Sequence, residues 1–162
     1  MSAVISDTSP INYLVLIGEI EVLPKIFQRI VIGPAVLQEL RHPRAPAQVR
    51  AWAQQPPSWV RQSSPRHLLT DLDLDIGETE AISLAKEEAG SLLIIDERKG
   101  RRVAASLGIL VAGTLNILEE ADRGNLLSFE VAVDKLSKTN FRMNEEVLAD
   151  IFERIRLRKQ SP

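Results

Sequence analysis

Four carboxylates stand either directly after an apolar run or on the apolar face of a predicted helix. Asp7 follows the run AVIS and Asp96 follows the run SLLII, whereas Glu39 and Glu78 share helical faces with small apolar residues. A carboxylate on a core-facing stripe must be paired, protonated or bound to a cation, because desolvating an isolated charge is costly. Oxygen ligands are those that Mg²⁺ and Mn²⁺ prefer, so the four acids predict a site for one or two such ions.

The chemistry that fits such a site is hydrolysis of a phosphodiester bond in a nucleic acid. A divalent ion lowers the pKa of bound water and neutralises charge on the phosphate during attack and departure. The sequence contains no cysteine, which excludes thiolate zinc sites and cysteine nucleophiles. It also lacks GxGxxG, GxxxxGK[ST] and GxSxG, so the dinucleotide-binding, P-loop and α/β-hydrolase classes have no motif here.

Each acid also has a structural explanation that the sequence leaves open. Asp7 and Asp96 would serve as N-caps of the helices that follow them. Glu78 would complete a capping box with Asp75, and Glu39 would pair with an arginine further along the chain. Only convergence of the four side chains at one edge of a sheet would distinguish a metal site from four separate structural roles.

Strand and helix alternate along the chain, which predicts an α/β fold. Short β-like runs occur at AVIS, IVIG, WVRQ, SLLII and ILVA, with helical segments between them and three more helical segments at the end. Such units imply right-handed crossovers and a mainly parallel sheet in a three-layer α/β/α arrangement. The carboxyl ends of parallel strands meet at one edge, where we expect Asp7 and Asp96. Pro10 is expected at the first position of the first helix.

Size and composition predict one cytoplasmic domain. The 162 residues, 44% of them hydrophobic, suffice for one core, with about residues 3–142 as the main body and 143–162 as a C-terminal helix and basic tail. The start MSAVISDTSP has no secretory features and no apolar run is long enough to span a membrane. The formal net charge of -2 gives no global attraction to nucleic acid, so such a partner requires a local basic patch.

Four motifs give the sequence a resemblance to the PIN-domain ribonucleases. They are DTSP at 7–10, GETEAI at 77–82, DERKGRR at 96–102 and VAGTL at 111–115. The resemblance covers about residues 3–142. The family includes the VapC-like toxins, and the sequence most resembles an uncharacterised bacterial and archaeal branch of it. The resemblance implies a PIN-like α/β/α fold.

The resemblance also implies a metal-dependent endoribonuclease acting on single-stranded or structured RNA. Asp7, Glu39, Glu78 and Asp96 match the family's acids, which are catalytic and hold Mg²⁺ or Mn²⁺. The third acid is more often Asp in the better-known PIN toxins, which leaves Glu80 as a lesser candidate. A homodimer and an antitoxin protein that blocks the site are implied partners. We expect exposed apolar residues of INYLVLIG and IEVLPKIF to form the dimer surface.

Three further residues are candidates for contact with RNA. Ser9 matches the small hydroxyl residue of the family's first motif and would orient an acid or touch the scissile phosphate, although N-capping before Pro10 explains it equally well. Arg98 and Arg102, four residues apart on a basic helix, are the preferred phosphate-binding pair. The other basic residues of that helix are assigned to its solvated surface.

Two other function classes are compatible with the acids. A receiver-like or phosphatase-like domain also uses strand-end aspartates with Mg²⁺, but Asp7 is not followed by the second acid that such domains need. A non-catalytic PIN-like module, which binds nucleic acid or protein without turnover, remains open as the main alternative.

Overall fold

A computed structural model describes residues 2–161 and shows a parallel β-sheet as the framework of the protein. The strands are β1 (Val4–Ser6), β2 (Ile30–Ile32), β3 (Val60–Gln62), β4 (Leu92–Ile94) and β5 (Leu110–Ala112). Their order across the sheet is β3-β2-β1-β4-β5, and every neighbouring pair is parallel. The predicted fold class, three-layer α/β/α with a mainly parallel sheet, is confirmed.

Helices follow the strands as the sequence pattern predicts. Within residues 2–161 they are α1 (Thr8–Leu16), α2 (Val22–Phe27), α3 (Pro34–Leu40), α4 (Ala47–Gln54), α5 (Ile76–Glu87), α6 (Arg98–Ser106), α7 (Thr114–Arg123), α8 (Phe129–Ser137) and α9 (Glu145–Gln160). None of the helices in this part of the chain is long and apolar enough to cross a membrane.

The position of β1 in the sheet determines where a ligand can bind. The chain first adds β2 and β3 on one side of β1 and then returns to add β4 and β5 on the other side. Such a reversal of strand order opens a crevice beyond the carboxyl ends of the two strands that flank it. Here those strands are β1 and β4, which align Ser6 with Ile94.

The core on one face of the sheet is formed by α5. Ile5 and Leu93 are register partners of β1 and β4, and both are buried against Ala81, Ile82 and Ala85 of α5. Burial of each large apolar side chain contributes about 1.5–3 kcal/mol. This packing fixes the first turn of α5, and therefore Glu78, relative to the ends of β1 and β4.

The chain divides into two compact units, residues 1–114 and residues 115–162. The first unit contains the sheet and α1 to α6. In the second unit the ring of Phe129 packs edge-on against Phe152, with ring centroids 5.2 Å apart. Two ion pairs connect α9 to α7 there, Arg154 with Glu119 and Arg158 with Asp122. The assignment of residues 1–162 to one domain stays a prediction.

The first helix begins earlier than predicted. Thr8 is the first residue of α1 and Asp7 precedes it, so Pro10 is the third helical residue and not the first. The first four N–H groups of a helix have no acceptor within the helix, so a proline is tolerated at any of these positions. The expected placement of Pro10 was therefore wrong by two residues.

The expected dimer surface on α1 and α2 is only partly exposed. Ile11, Leu14, Val22 and Leu23 are buried, and none of the exposed large apolar side chains in the described part of the protein lies in residues 11–27. Other apolar residues of the segment are partly exposed, namely Val15, Leu16, Ile20, Ile26 and Phe27. The dimer surface on α1 and α2 therefore stays a prediction.

Candidate active site

Asp7 lies between β1 and α1 and is buried. Its backbone N–H donates to the carbonyl oxygen of Ile94 at 2.9 Å, which continues the β1–β4 pairing by one residue. Asp7 occupies the N-cap position of α1, but its side chain makes no capping hydrogen bond, so the structural explanation for this acid fails. Burial raises the pKa of the Asp7 carboxyl to about 7, and the nearby carboxylates of Asp75 and Glu39 add to the rise.

Asp96 follows the end of β4 and accepts three hydrogen bonds. Its Oδ1 accepts from the backbone N–H of Thr114 at 2.7 Å, and its Oδ2 accepts from the Thr114 hydroxyl at 2.7 Å and the Ser9 hydroxyl at 2.8 Å. The N-cap of α6 is Glu97, whose carboxylate accepts from the N–H of Gly100 at 2.7 Å. The structural explanation required Asp96 to cap α6, and Asp96 does not do so. It is held at the carboxyl edge by two hydroxyl side chains.

Glu39 projects from the last turn of α3 toward the start of α1. Its Oε2 accepts a hydrogen bond from the Thr8 hydroxyl at 2.5 Å. No ion pair with Arg41 or Arg44 forms among the described residues, and Arg41 instead donates to the carbonyl oxygen of Ala53 at 2.8 Å. Burial raises the pKa of Glu39 above its usual value, the Thr8 hydrogen bond opposes this, and the charge of Asp75 adds to the rise.

Glu78 is the acid whose environment fits a cation most closely. Asp75 caps α5 by accepting the N–H of Glu78 at 2.8 Å, so the first half of the predicted capping box is present. That bond is made by the backbone N–H of Glu78 and not by its carboxylate. Glu78 Oε2 is buried and has no hydrogen-bond partner among the described residues. A buried polar atom in this state costs free energy unless it carries a proton or meets a cation.

The pKa of Glu78 is raised to about 8. Burial is the largest cause, followed by a hydrogen bond with the Asp75 side chain and by the charges of Asp75, Asp7 and Glu97. Glu78 and Asp7 are therefore within electrostatic reach of each other across the gap between α5 and β1. Both would ionise more readily beside a positive charge.

Two glycines allow the carboxylates to approach helix backbone. A Cβ atom at Gly77 would collide with Glu39 Oε1, and one at Gly100 would lie 3.0 Å from Glu78 Oε2 and 2.6 Å from the Ile95 side chain. Gly77 and Gly100 lie in the first turns of α5 and α6. Glycine at these two places therefore leaves room for the carboxylates of Glu39 and Glu78 as they stand.

The residues of this edge fit a divalent cation by donor type and by charge. Within residues 2–161 no group of three acid or histidine side chains is already arranged around a common point at metal-ligand distance. The acids nevertheless interact: Asp7 is affected by Glu39 and Asp96, and Glu78 by Asp7. All donors are oxygens, and one of them, Glu78 Oε2, lacks a partner.

The predicted phosphate-binding pair lies on the surface of α6. Arg98 and Arg102 are exposed, and neither forms an ion pair in the described part of the chain. Lys99, between them, pairs with Asp73 at 2.7 Å. Arg98 and Arg102 are thus free to contact a ligand, and their role stays a prediction.

Arg101 is the basic residue of α6 that lies next to an acid of the site. Its Nη1 donates to the carbonyl oxygen of Ile95 at 3.0 Å. A Cβ atom at Gly113 would lie 2.7 Å from this nitrogen and 3.0 Å from Asp96 Oδ1. The sequence assigned Arg101 to the solvated helix surface, so its position beside Asp96 was missed.

Glu80, the lesser candidate, has a structural role. Its Oε1 accepts the backbone N–H of Ala35 at 2.8 Å and so caps the start of α3. No periodicity in the sequence predicts this contact, because it joins residues 45 positions apart. Thr8 and Thr114 were missed as supports of Glu39 and Asp96 for the same reason.

A family model described as a PIN domain matches residues 3–156 of the chain. No protein in a search of curated proteins matches it significantly. The matched range covers nearly the whole chain, includes all four acids and extends past residue 142 into α9. The fold and the family match both support a PIN domain. The chain belongs to the PIN-domain family, whose members are generally nucleases.

Proposed function

We propose that the protein is an Mg²⁺- or Mn²⁺-dependent endoribonuclease. The observation that carries this proposal is Glu78 Oε2, a buried carboxylate oxygen without a partner that lies within electrostatic reach of Asp7. The membership of the PIN-domain family supports nuclease chemistry, and the all-oxygen donor set supports a hard cation.

Asp7, Glu39, Glu78 and Asp96 would hold the cation. When bound, such an ion supplies Lewis-acid chemistry by lowering the pKa of water and neutralising charge on a phosphodiester. Asp96 is kept in place by Ser9 and Thr114. These contacts reduce the freedom that the carboxylate would otherwise lose on binding.

The chain's own acids also carry protons that must leave when a cation binds. Because the pKa of Asp7 is about 7 and that of Glu78 about 8, both carboxyls are substantially protonated at neutral pH in the cation-free protein. Cation binding would release these protons, so the affinity for the cation should increase with pH.

The exposed Arg98 and Arg102 would contact RNA phosphates next to this edge.

The family resemblance further leads us to propose a homodimer and, if the protein is a toxin, an antitoxin protein as partner. The dimer surface would include the half-buried apolar residues of α1 and α2, such as Leu16 and Phe27. Size-exclusion chromatography with light scattering would give the oligomeric state, and a monomer at high protein concentration would reject the dimer.

The cleavage assay that tests the proposal compares wild type with Asp7→Asn and Glu80→Gln. Each would be incubated with labelled single-stranded RNA and Mn²⁺, Mg²⁺ or chelator. We expect wild type to cut only when a cation is present. Glu80→Gln should behave in the same way, because Gln can still accept the Ala35 N–H. Asp7→Asn should be inactive although it folds.

Cutting in chelator, or equal cutting by Asp7→Asn, would contradict the proposal. Absence of cutting by wild type on diverse RNAs would favour the non-catalytic module, in which the same edge binds without turnover.

A further inference from the structure

A cavity lies in the first compact unit, away from the four acids of the candidate active site. Its volume is about 620 Å³, and its lining includes Ser2 before β1, Arg29 before β2, Arg61 within β3, and Ser63, Ser64 and Arg66 after β3. None of the four acids Asp7, Glu39, Glu78 and Asp96 lines it. Asp7 and Asp96 follow the carboxyl ends of β1 and β4, whereas Ser2 precedes the start of β1. At about 3.3 Å per residue, Ser2 and Asp7 are separated by roughly 16 Å of chain. The cavity is therefore distinct from the candidate active site.

The sheet register directs Arg61 into this cavity. Ile5 pairs with Val31, and Val31 pairs with Arg61, so their side chains lie on the same face of the sheet. On that face α5 packs against β1 and β4, while the surface over β2 and β3 remains accessible at Val31 and Arg61. Arg61 thus stands at the end of a row whose other members, Ile5 and Val31, are apolar.

A tight turn positions Arg29 at the same cavity. The backbone N–H of Arg29 donates to the carbonyl oxygen of Phe27 at 2.8 Å, and Gln28 between them has φ 70° and ψ -48°. This is a γ-turn of the positive-φ type, which is rare and strained for a residue with a side chain. The turn ends α2 and brings Phe27, Gln28 and Arg29 to the cavity wall.

The arginines of the cavity are only partly neutralised. Arg66 lies 4.0 Å from Glu87, whose other oxygen accepts the N–H of His67. Glu88 also lines the cavity, but neither Arg29 nor Arg61 forms an ion pair with it or with any other acid of the described residues. Residues 40–70, which supply Arg61 and Arg66, contain no Asp or Glu at all.

We propose that this cavity is a second site, which binds a phosphate group of a nucleotide or of an RNA strand independently of any metal ion. Arginine presents a planar fork of donors that matches phosphate in a bidentate manner, and three arginines line the cavity without a lysine. The hydroxyl side chains of Ser63 and Ser64 line the same wall and add donors for phosphate oxygens. The chain carries a formal net charge of -2, so attraction of a polyanion must come from local sites of this kind.

The test measures binding by the full chain in chelator, where no metal-dependent cleavage takes place. The probes are a fluorescein-labelled octauridylate, followed by fluorescence anisotropy, and uridine 5′-monophosphate and inorganic phosphate, followed by calorimetry. The variant is Arg29→Ala/Arg61→Ala, and the matched control is Arg123→Ala/Arg142→Ala, which removes two exposed arginines that do not line the cavity. Thermal unfolding checks that all three proteins fold.

We expect the cavity variant to bind at least one probe about tenfold more weakly than wild type, with the control unchanged. For the RNA probe, the slope of log K against log salt should decrease by about 1.4, which is about 0.7 for each lost phosphate contact on a single strand. Arg29→Lys/Arg61→Lys keeps the charge and should bind with intermediate affinity. Loss confined to the octauridylate would identify a strand site, and equal loss for the mononucleotide would identify a nucleotide site.

No binding by wild type, unchanged binding by the cavity variant or equal weakening by the control would overturn the proposal. The outcome does not depend on nuclease activity, since chelator removes the cation that cleavage would require. A protein that binds RNA at the cavity but cuts none would support this site and not the proposed nuclease. A protein that cuts RNA but does not bind it at the cavity would support the nuclease and not this site.

Discussion

Asp96 accepts two hydrogen bonds from Thr114, one from the backbone N–H to Oδ1 and one from the hydroxyl to Oδ2, each 2.7 Å long. Thr114 thus begins α7 and also orients Asp96, an acid of the candidate site. The side-chain bond can be removed without disturbing the backbone bond, because valine has nearly the shape of threonine.

Thr114→Val should lower the RNA cleavage rate and reduce the free energy of unfolding by about 1–3 kcal/mol, because it leaves a partly buried carboxylate oxygen with one donor fewer. Thr114→Ser should restore most of both. Urea unfolding and initial cleavage rates on the three proteins measure this. Equal rates for Thr114→Val and wild type would show that Asp96 does not need this support.

The stability of the cation-free protein should fall as pH rises. Asp7 and Glu78 have pKa values of about 7 and about 8 in the fold, above the usual range of a carboxyl, so the folded protein binds more protons than the unfolded chain. Their contribution is fully present below about pH 4 and is lost as pH rises through about 8, with Asp7 accounting for about 4 kcal/mol at most. Glu78 is more exposed, so solvent screening reduces its share.

Urea unfolding at pH 5 and pH 8 in chelator measures this dependence. Asp7→Asn should flatten it and be more stable than wild type at pH 8, whereas Glu130→Gln, at an exposed site, should leave it unchanged. A wild-type protein that is more stable at pH 8 than at pH 5 would contradict the assignment of raised pKa values.

Gly77→Ala should weaken the site although alanine favours a helix. In an unconstrained helix interior the change would stabilise by about 1 kcal/mol. Here the added Cβ atom would collide with Glu39 Oε1, so that carboxylate, whose Oε2 accepts from Thr8, must shift. We expect loss of cleavage activity with little gain in thermal stability, while Gly124→Ala, whose Cβ meets only ordinary contacts of 3.7 Å or more, should be active.

Gln28→Gly should stabilise the protein. Gln28 has φ 70° at the centre of a γ-turn, and glycine adopts this conformation without the steric cost of a side chain. The strain of about 1–3 kcal/mol exceeds the entropy cost of glycine, so thermal unfolding should show a gain of about 1 kcal/mol. Gln54→Gly, at the end of α4, should instead destabilise. A loss of stability in Gln28→Gly would show that the turn is not strained.

The sequence predicted the elements well because β1, β2, β4 and β5 are short apolar runs bounded by turn residues. IVIG and SLLII correspond to β2 and β4, and the irregular stretch after α3 still contains the predicted α4 and β3. The expected convergence of Asp7 and Asp96 follows from parallel strand order, which fixes the edge at which strand-end residues meet.

The supports of the acids were not predictable in this way. Thr114 contacts Asp96 across 18 residues and Thr8 contacts Glu39 across 31, and no periodicity encodes such pairs. Burial of α1 also depends on tertiary packing, because an apolar helix looks the same in sequence whether it faces the core or a partner. The helix start at Thr8 was missed since Pro10 is compatible with several positions of a first turn.

Calorimetric titration of Mn²⁺ at pH 7 tests the central claim, that these acids bind a divalent cation, most directly. Wild type, Glu78→Gln and Glu80→Gln would each be titrated in two buffers of different ionisation enthalpy, which gives the number of protons released. Wild type and Glu80→Gln should bind the ion with release of protons from Asp7 and Glu78, and Glu78→Gln should bind about tenfold or more weakly and release fewer protons. Absence of binding by wild type, or equal binding by Glu78→Gln, would contradict the assignment of a cation site to this edge.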